Sequence, residues 1–243
     1  MSLGIGMMAG GSVYGGNTNS TLFIDAVKHI SNLSLYLQNG VGNEAAQWAD
    51  SSGNGNDATQ GTEGDQAAPS GGGLVFVSGE GDHYDLDSQI EISAEEGFTI
   101  FATLNLTAHG ANQTLLGLNN IDNFLEFVAG GNNLKIKTDG AITTISPGDG
   151  SQGDFQAGEK FLFTLVRESG SDGNYNVYKN GALLAQDSQV NHAGAAEFIA
   201  VGVRNNNRFL NATLYDLAFY EKQLSATELV DVHAFLTNYH GLR

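Results

Sequence analysis

Four side-chain oxygens stand at alternate positions of one short segment, at Asp50, Ser52, Asn54 and Asn56, and Gly55 allows a sharp turn among them. Calcium takes hard oxygen ligands at alternate positions of such loops, with a glycine at the turn. The bidentate Glu that closes an EF-hand loop at its twelfth position is missing, because a glycine stands there. The four residues are therefore a candidate calcium site. The alternative is that the Asp50 carboxylate accepts hydrogen bonds from its own loop.

The sequence carries no recognisable pattern of catalytic residues. A laminarinase-type glycoside hydrolase would place Glu-x-Asp-x-x-Glu on one face of a strand, and the chain has no such triplet. Gly-x-Ser-x-Gly and His-Glu-x-x-His are also absent. We therefore expect a protein that is not an enzyme, with no catalytic residues. A further hypothesis is an enzyme fragment whose activity depends on Glu80 or Asp82, two acids beside turn residues. It ranks third, after the two binding or structural functions given at the end of this subsection.

Charge and composition exclude several classes of partner. The chain has 243 residues, with 10 Lys and Arg against 27 Asp and Glu, a net charge of −17 and no cysteine. Nucleic acid and anionic membrane surfaces need a basic patch, so neither is an expected partner. Without cysteine there is no disulfide framework and no thiolate metal site. The sequence has no run of eighteen consecutive apolar residues and therefore predicts no transmembrane helix.

Aromatic side chains are the second feature with possible binding chemistry. Carbohydrate sites place exposed aromatic rings beside polar groups. The candidates for sugar stacking are Tyr14, Tyr36, Tyr84, Tyr175 and Tyr215. The pattern alone does not place a sugar site.

The elements that must position these residues are predominantly strands. Short apolar or alternating segments, such as Leu33–Leu37, Phe98–Leu104 and Lys160–Arg167, predict about a dozen strands with no helix between them. The dipeptide Asn180-Gly181 between two such segments predicts a tight hairpin.

Two helices are predicted, one near each end of the chain. Residues 21–30 place apolar side chains on one helical face and predict a short helix. Near the end of the sequence, Ser225 and Glu228 form a capping box, and Gly241 occupies the position of a helix C-cap. Between them Leu229, Val232, Leu236 and Tyr239 recur at helical spacing.

Several motifs together resemble one family of β-sandwiches. The loop Trp48–Gln60, the segment Val75–Leu86, the strand Phe98–Ala102, the hairpin Val177–Gly181 and the segment Leu214–Ser225 stand in the order typical of laminin-G-like, concanavalin A-like jelly rolls. The resemblance implies an all-β fold, a two-sheet antiparallel jelly-roll sandwich over residues 21–243, with the short N-terminal helix and one C-terminal helix. It also implies that Trp48 lies in the core and that Asp216 points between the sheets.

Residues 1–20 are rich in Gly, Ser and Asn and predict an N-terminal arm that does not pack into a core of its own. We expect Leu3, Ile5, Met7, Met8 and Tyr14 to anchor this arm on a partner. The favoured hypothesis is a non-enzymatic virion protein of a tailed bacteriophage, a capsid decoration, head-fibre or tail-associated component, located in the virion. Its partners would be other capsid or tail subunits, in an oligomer or array, and calcium is the only candidate cofactor. The alternative is a carbohydrate-binding adhesin or receptor-binding module for a host-surface glycan.

Overall fold

A computed structural model describes residues 25–118, 122–130, 133–139, 141–146, 155–187 and 194–242. The predicted arm and its anchoring residues lie outside these ranges, as do residues 21–24. The strands in chain order are β1 (Leu33–Leu37), β2 (Asn43–Glu44), β3 (Gln47–Trp48), β4 (Ala58–Thr59), β5 (Ala68–Ser70), β6 (Gly73–Phe76), β7 (Tyr84–Ile92), β8 (Phe98–Leu106), β9 (Gln113–Gly117), β10 (Phe124–Phe127), β11 (Leu134–Thr138), β12 (Ala141–Ile145), β13 (Lys160–Arg167), β14 (Tyr175–Lys179), β15 (Ala182–Asp187), β16 (Ala196–Val201) and β17 (Ala212–Tyr220). One helix, α1 (Ala226–His240), follows them within the described residues.

The described strands form two antiparallel sheets, which we name the first and the second sheet. The first sheet has the order β15-β14-β13-β8-β17-β6-β5, and β1 also pairs with β17. The second sheet has the order β12-β11-β10-β9-β16-β7-β4-β3-β2. Their inner faces enclose one apolar core, which confirms the predicted two-sheet sandwich. Trp48 lies in this core and is 1% exposed, as the family resemblance implies.

The outer face of the first sheet is covered by α1 and by residues 25–30. Strand β8 is buried on both sides, because Ile100 faces the core while Phe101 faces the helix. Val232 and Leu236 of α1 complete a second apolar cluster on this outer face. The sandwich therefore has one outer face that an amphipathic helix removes from water.

The predicted local signals at turns and helix ends are confirmed. Asn180 and Gly181 both have positive φ, 50° and 83°, as a two-residue hairpin turn between β14 and β15 requires. The Ser225 hydroxyl accepts from the backbone of Glu228, whose carboxylate in turn accepts from the backbone of Ser225. Gly241 ends α1 in the left-handed region.

The predicted N-terminal helix is wrong over its described part. Residues 25–30 form turns, in which the Lys28 amide donates to the Asp25 carbonyl over 3.2 Å. The Asp25 carboxylate accepts from the Val27 amide, and the Tyr220 hydroxyl donates to the Val27 carbonyl over 2.7 Å. These side-chain bonds take backbone groups that a helix would need, so tertiary contacts override the apolar pattern.

Two other expectations about the helix side need correction. Asp216 does not point between the sheets, because its neighbours Ala218 and Tyr220 face the helix-side cluster and its side-chain partner, His240, belongs to α1. A bulge between Leu214 and Asp216 shifts the register of β17 there. Tyr239, predicted on the apolar face of α1, is 51% exposed.

Candidate functional site

The Asp50–Asn56 loop closes on itself and on the edge of β1. The Asp50 carboxylate accepts four hydrogen bonds, from the amides of Tyr36, Ser52 and Asn56 and from the Ser52 hydroxyl. The side-chain Nδ2 of Asn54 donates to the Leu33 backbone carbonyl over 2.7 Å. These bonds supply partners for an edge strand that would otherwise expose its backbone.

The same bonds bear on the calcium prediction. The oxygens of Asp50 are already engaged by protein donors, and the side-chain Oδ1 of Asn56 accepts from the Ser88 backbone amide over 2.7 Å. Among the described residues, no three His, Cys, Asp or Glu side chains group as they would around a metal ion. The geometry matches the alternative in which Asp50 caps its own loop, and calcium binding stays a prediction.

A cleft of about 430 Å³ opens where this loop, β1 and β7 meet at the side of the sandwich. Its lining is mostly polar and consists of Asn32, Leu33, Ser34, Asn54, Asn56, Ser88, Gln89, Ile90 and Glu221. Leu33 and Ile90 supply the apolar part of the wall. The cleft thus combines amide, hydroxyl and carboxylate groups with a small apolar surface, and its size lies within the range of small-molecule sites.

Several polar atoms of the cleft keep spare hydrogen-bonding capacity. Within the described residues, Asn54 Oδ1, Asn56 Nδ2 and the Ser88 hydroxyl have no protein partner, although the rest of each residue is anchored. Asn56 is only 5% exposed, so its amide is held rigidly by the loop. Rigid donors and acceptors of this kind favour recognition of a ligand rich in hydroxyl groups, since binding orders few side chains.

Glu221 is the one ionisable residue that lines the described cleft. Partial burial raises the pKa of its carboxyl group above the ordinary value, and a hydrogen bond with Ser34 offsets part of this rise. The backbone of Glu221 is fixed because its amide donates to the Asn32 carbonyl over 2.9 Å. Its neighbour Lys222 does not line the cleft; its ammonium is bonded to Glu228, at 2.7 Å, and to Ser31, which precedes the lining residue Asn32. The cleft therefore contains one acidic group and no basic side chain in its described lining.

The aromatic residues proposed for sugar stacking do not form a site over the described part of the chain. Tyr36, Tyr84 and Tyr175 are buried, each at most 1% exposed, so those three predictions are wrong. Their hydroxyls or rings serve packing, as in the edge contact of Tyr84 with Phe76. Tyr215 is half-buried, with the Lys160 ammonium 4.0 Å from its ring centre. Tyr14 lies outside the described residues.

Other acidic residues play local roles. Asp82 is 1% exposed and accepts from the Val77 amide over 2.7 Å, which closes the turn between β6 and β7. Burial is the main cause that raises the pKa of Asp82. Glu80 is exposed at that turn. Asp216 accepts from the Asn39 amide over 2.8 Å and pairs with His240, and burial raises its pKa as well. None of these three acids lines the cleft.

The cleft residues outside the Asp50 loop were missed in the sequence. Ser88 and Gln89 belong to β7, a strand whose outward positions read as ordinary solvent-facing residues. Glu221 follows β17 in a segment noted only for its resemblance to the end of the sandwich. No local pattern marks them, because they meet the loop only through pairing of β1 with β17 and of β4 with β7.

Comparison with known proteins identifies the fold. No family model matches the chain, and no curated protein matches it. Among solved structures, it resembles the binding domain of Paraclostridial Mosquitocidal Protein 1, with a TM-score of 0.59, 20% identity, and 86% of this chain and 52% of that chain covered.

It also resembles Trypanosoma rangeli sialidase in complex with 2,3-difluorosialic acid, with a TM-score of 0.57, 15% identity, and 86% of this chain and 33% of that chain covered. The same sialidase with the inhibitor DANA gives a TM-score of 0.58 and 16% identity, with 87% and 34% covered. The chain thus spans about a third to a half of these proteins. At such identities the likeness shows a shared β-sandwich fold, and a fold alone does not assign a function.

The described part of the chain contains no helix that is long and apolar enough to cross a bilayer.

Proposed function

We propose that this protein is a non-enzymatic glycan-binding module, of the kind used by adhesins and receptor-binding proteins. The observation that supports the proposal is the polar cleft beside the Asp50–Asn56 loop. Amide side chains both donate and accept, so they can bind adjacent sugar hydroxyls, while the half-buried Leu33 can contact the C–H face of a ring. Neighbours in fold include a binding domain and a sialidase, which agrees with this class of ligand without assigning it.

A plugged cleft tests the proposal directly. Ser88 is exposed and lines the cleft, so Ser88→Phe would fill it. The matched control is Ser171→Phe, at an exposed turn position remote in sequence from every lining residue. Both variants keep Trp48 as the single tryptophan, so its fluorescence reports whether each has folded.

Glycan-array binding followed by calorimetry gives the readout. We expect the wild type and Ser171→Phe to bind the same glycans and Ser88→Phe to lose at least about tenfold in affinity, since a bulky ring excludes the ligand. Absence of any glycan binding by the wild type would refute the proposal, as would equal binding by both variants. Turnover of the bound glycan would refute its non-enzymatic part.

The virion setting is a second, separate proposal that rests on the sequence of residues 1–20. We propose that this arm docks the sandwich onto other capsid or tail subunits of a tailed bacteriophage and so brings the cleft to a host surface. A chain that lacks residues 1–20 should then bind glycan normally but fail to enter particles. Particle incorporation of the shortened chain would contradict the docking role.

A further inference from the structure

We infer that the cleft selects neutral glycans and rejects those that carry a carboxylate, sulfate or phosphate near the bound sugar. This inference rests on the proposed glycan binding and specifies its ligand class. It follows from which charged groups stand at the cleft and which do not.

The first step is the absence of a cation in the described lining. Acidic sugars are recognised through Arg or Lys, whose N–H groups match the oxygens of the anion. The nine lining residues include no Arg, Lys or His. Lys222, adjacent in sequence to Glu221, is engaged by Glu228 in the capping region of α1. A charged group on the ligand would therefore lose its hydration and gain only neutral donors, those of Asn56 and Ser88, in place of a cation.

The second step is the charge that is present. The Glu221 carboxyl lines the cleft. The nearby Asp57 carboxylate does not add to it, because its oxygens accept from the Asp50 amide and the Gln47 side chain. The whole chain carries a net charge of −17. An anionic ligand thus meets repulsion both at the cleft and on approach to it.

The third step is the role of Glu221 toward a neutral sugar. Ionised, its carboxylate has acceptor capacity beyond its bond with Ser34, and sugar hydroxyls are donors. The same group therefore supports a neutral ligand and disfavours an acidic one. Glu221 is the residue that we expect to determine this specificity.

The test compares matched pairs of probes, such as lactose and sialyllactose, across an array that includes sulfated derivatives of the neutral glycans. For the wild type we expect each neutral member that binds to exceed its acidic derivative by at least about fivefold in affinity. The ratio should fall as salt is added, because screening weakens the repulsion.

Three variants test whether Glu221 causes the discrimination against acidic glycans. Glu221→Gln keeps hydrogen-bonding groups but removes the charge, so the neutral-to-acidic ratio should fall by about threefold or more. Asp231→Asn removes the same charge from the exposed side of α1 and should leave the ratio unchanged. Ser88→Lys supplies the missing cation and should raise affinity for the acidic derivatives.

The outcomes separate this inference from the proposed function. Binding of acidic derivatives as tightly as neutral ones, or an unchanged ratio in Glu221→Gln, overturns the inference while glycan binding stands. If no glycan binds at all, the proposed function fails and the inference fails with it.

Discussion

The helix-covered side of the sandwich and the cleft side differ in whether a ligand can reach their polar groups. Beneath α1 some polar side chains are paired, as in the bond of 3.0 Å between Thr164 and His233 and the pair of Asp216 with His240. Thr103 on the same face has a hydroxyl without a partner, but the residue is 0% exposed and therefore closed to a ligand. At the cleft, Asn54, Asn56 and Ser88 are anchored but each keeps an unused donor or acceptor. A polar group that is paired stabilises the fold, whereas one with spare capacity at an open cleft is available to a ligand. The difference indicates which side binds.

The largest expected effect concerns the covered side. Leu236 is 0% exposed beneath α1, so Leu236→Ala should lower the free energy of unfolding by about 3 kcal/mol through lost burial and a cavity. Val230, on the same helix but 63% exposed, is the matched control. Val230→Ala should change the free energy of unfolding by less than about 0.5 kcal/mol. Urea unfolding followed by Trp48 fluorescence measures both. Equal losses in the two variants would mean that the helix does not seal this face.

Asp50 lies between the two cases, because its carboxylate is fully paired while its loop forms a wall of the cleft. Asp50→Ala removes an acceptor of four hydrogen bonds and should cost about 2 kcal/mol of unfolding free energy and weaken glycan binding. Asp87→Ala, at an exposed position of β7, is the control.

The same unfolding measurement also tests calcium at this loop. Because the Asp50 oxygens are engaged, adding calcium or EDTA should not shift the unfolding midpoint of the wild type. A clear increase in stability with calcium, absent from Asp50→Ala, would establish the metal site instead.

Acid should weaken the covered side. Burial lowers the pKa of His233 from 6.5 to about 4, and its ring packs against Phe101 and Tyr178. Since the unfolded chain takes up the proton first, stability is full above pH 6.5 and falls as the pH drops toward 4, by about 3 kcal/mol from this residue. The free energy of unfolding of His233→Gln should change less between pH 6.5 and pH 4 than that of the wild type. Urea titrations at several pH values measure both. Parallel curves for the two proteins would rule out His233 as the cause.

Ser88→Ala should have the smallest effect on stability and still weaken glycan binding clearly. Ser88→Ala deletes an exposed hydroxyl that no protein group uses, so the free energy of unfolding should change by less than about 0.5 kcal/mol. Glycan affinity should fall by about threefold or more, because a ligand hydrogen bond is lost. Unchanged affinity in calorimetry would remove Ser88 from the site and weaken the contrast between the two sides.

The sequence predicts well those features that depend on neighbours along the chain. The Asn180-Gly181 hairpin, the capping box of Ser225 and the alternating strand β1 are each determined within a few residues. The turns at residues 25–30 could not be predicted, because the Tyr220 hydroxyl that fixes Val27 comes from far along the chain.

The residues of the cleft also fall into a group that the sequence marks and a group that it does not. Its Asp50 loop was conspicuous in the sequence, and the structure places that loop at the wall. Ser88, Gln89 and Glu221 join it only after strands distant in sequence have paired, so composition and spacing carry no sign of them.

Strand β17 gives the molecule a particular order of assembly. It pairs with β1, β6 and β8, and its contact with β1 joins residues such as Leu33 and Tyr220 at opposite ends of the described chain. During synthesis the earlier strands must therefore wait with unsatisfied edges until residues 212–220 leave the ribosome. Such non-local pairing implies slow folding and a long period of vulnerability to aggregation for the nascent protein.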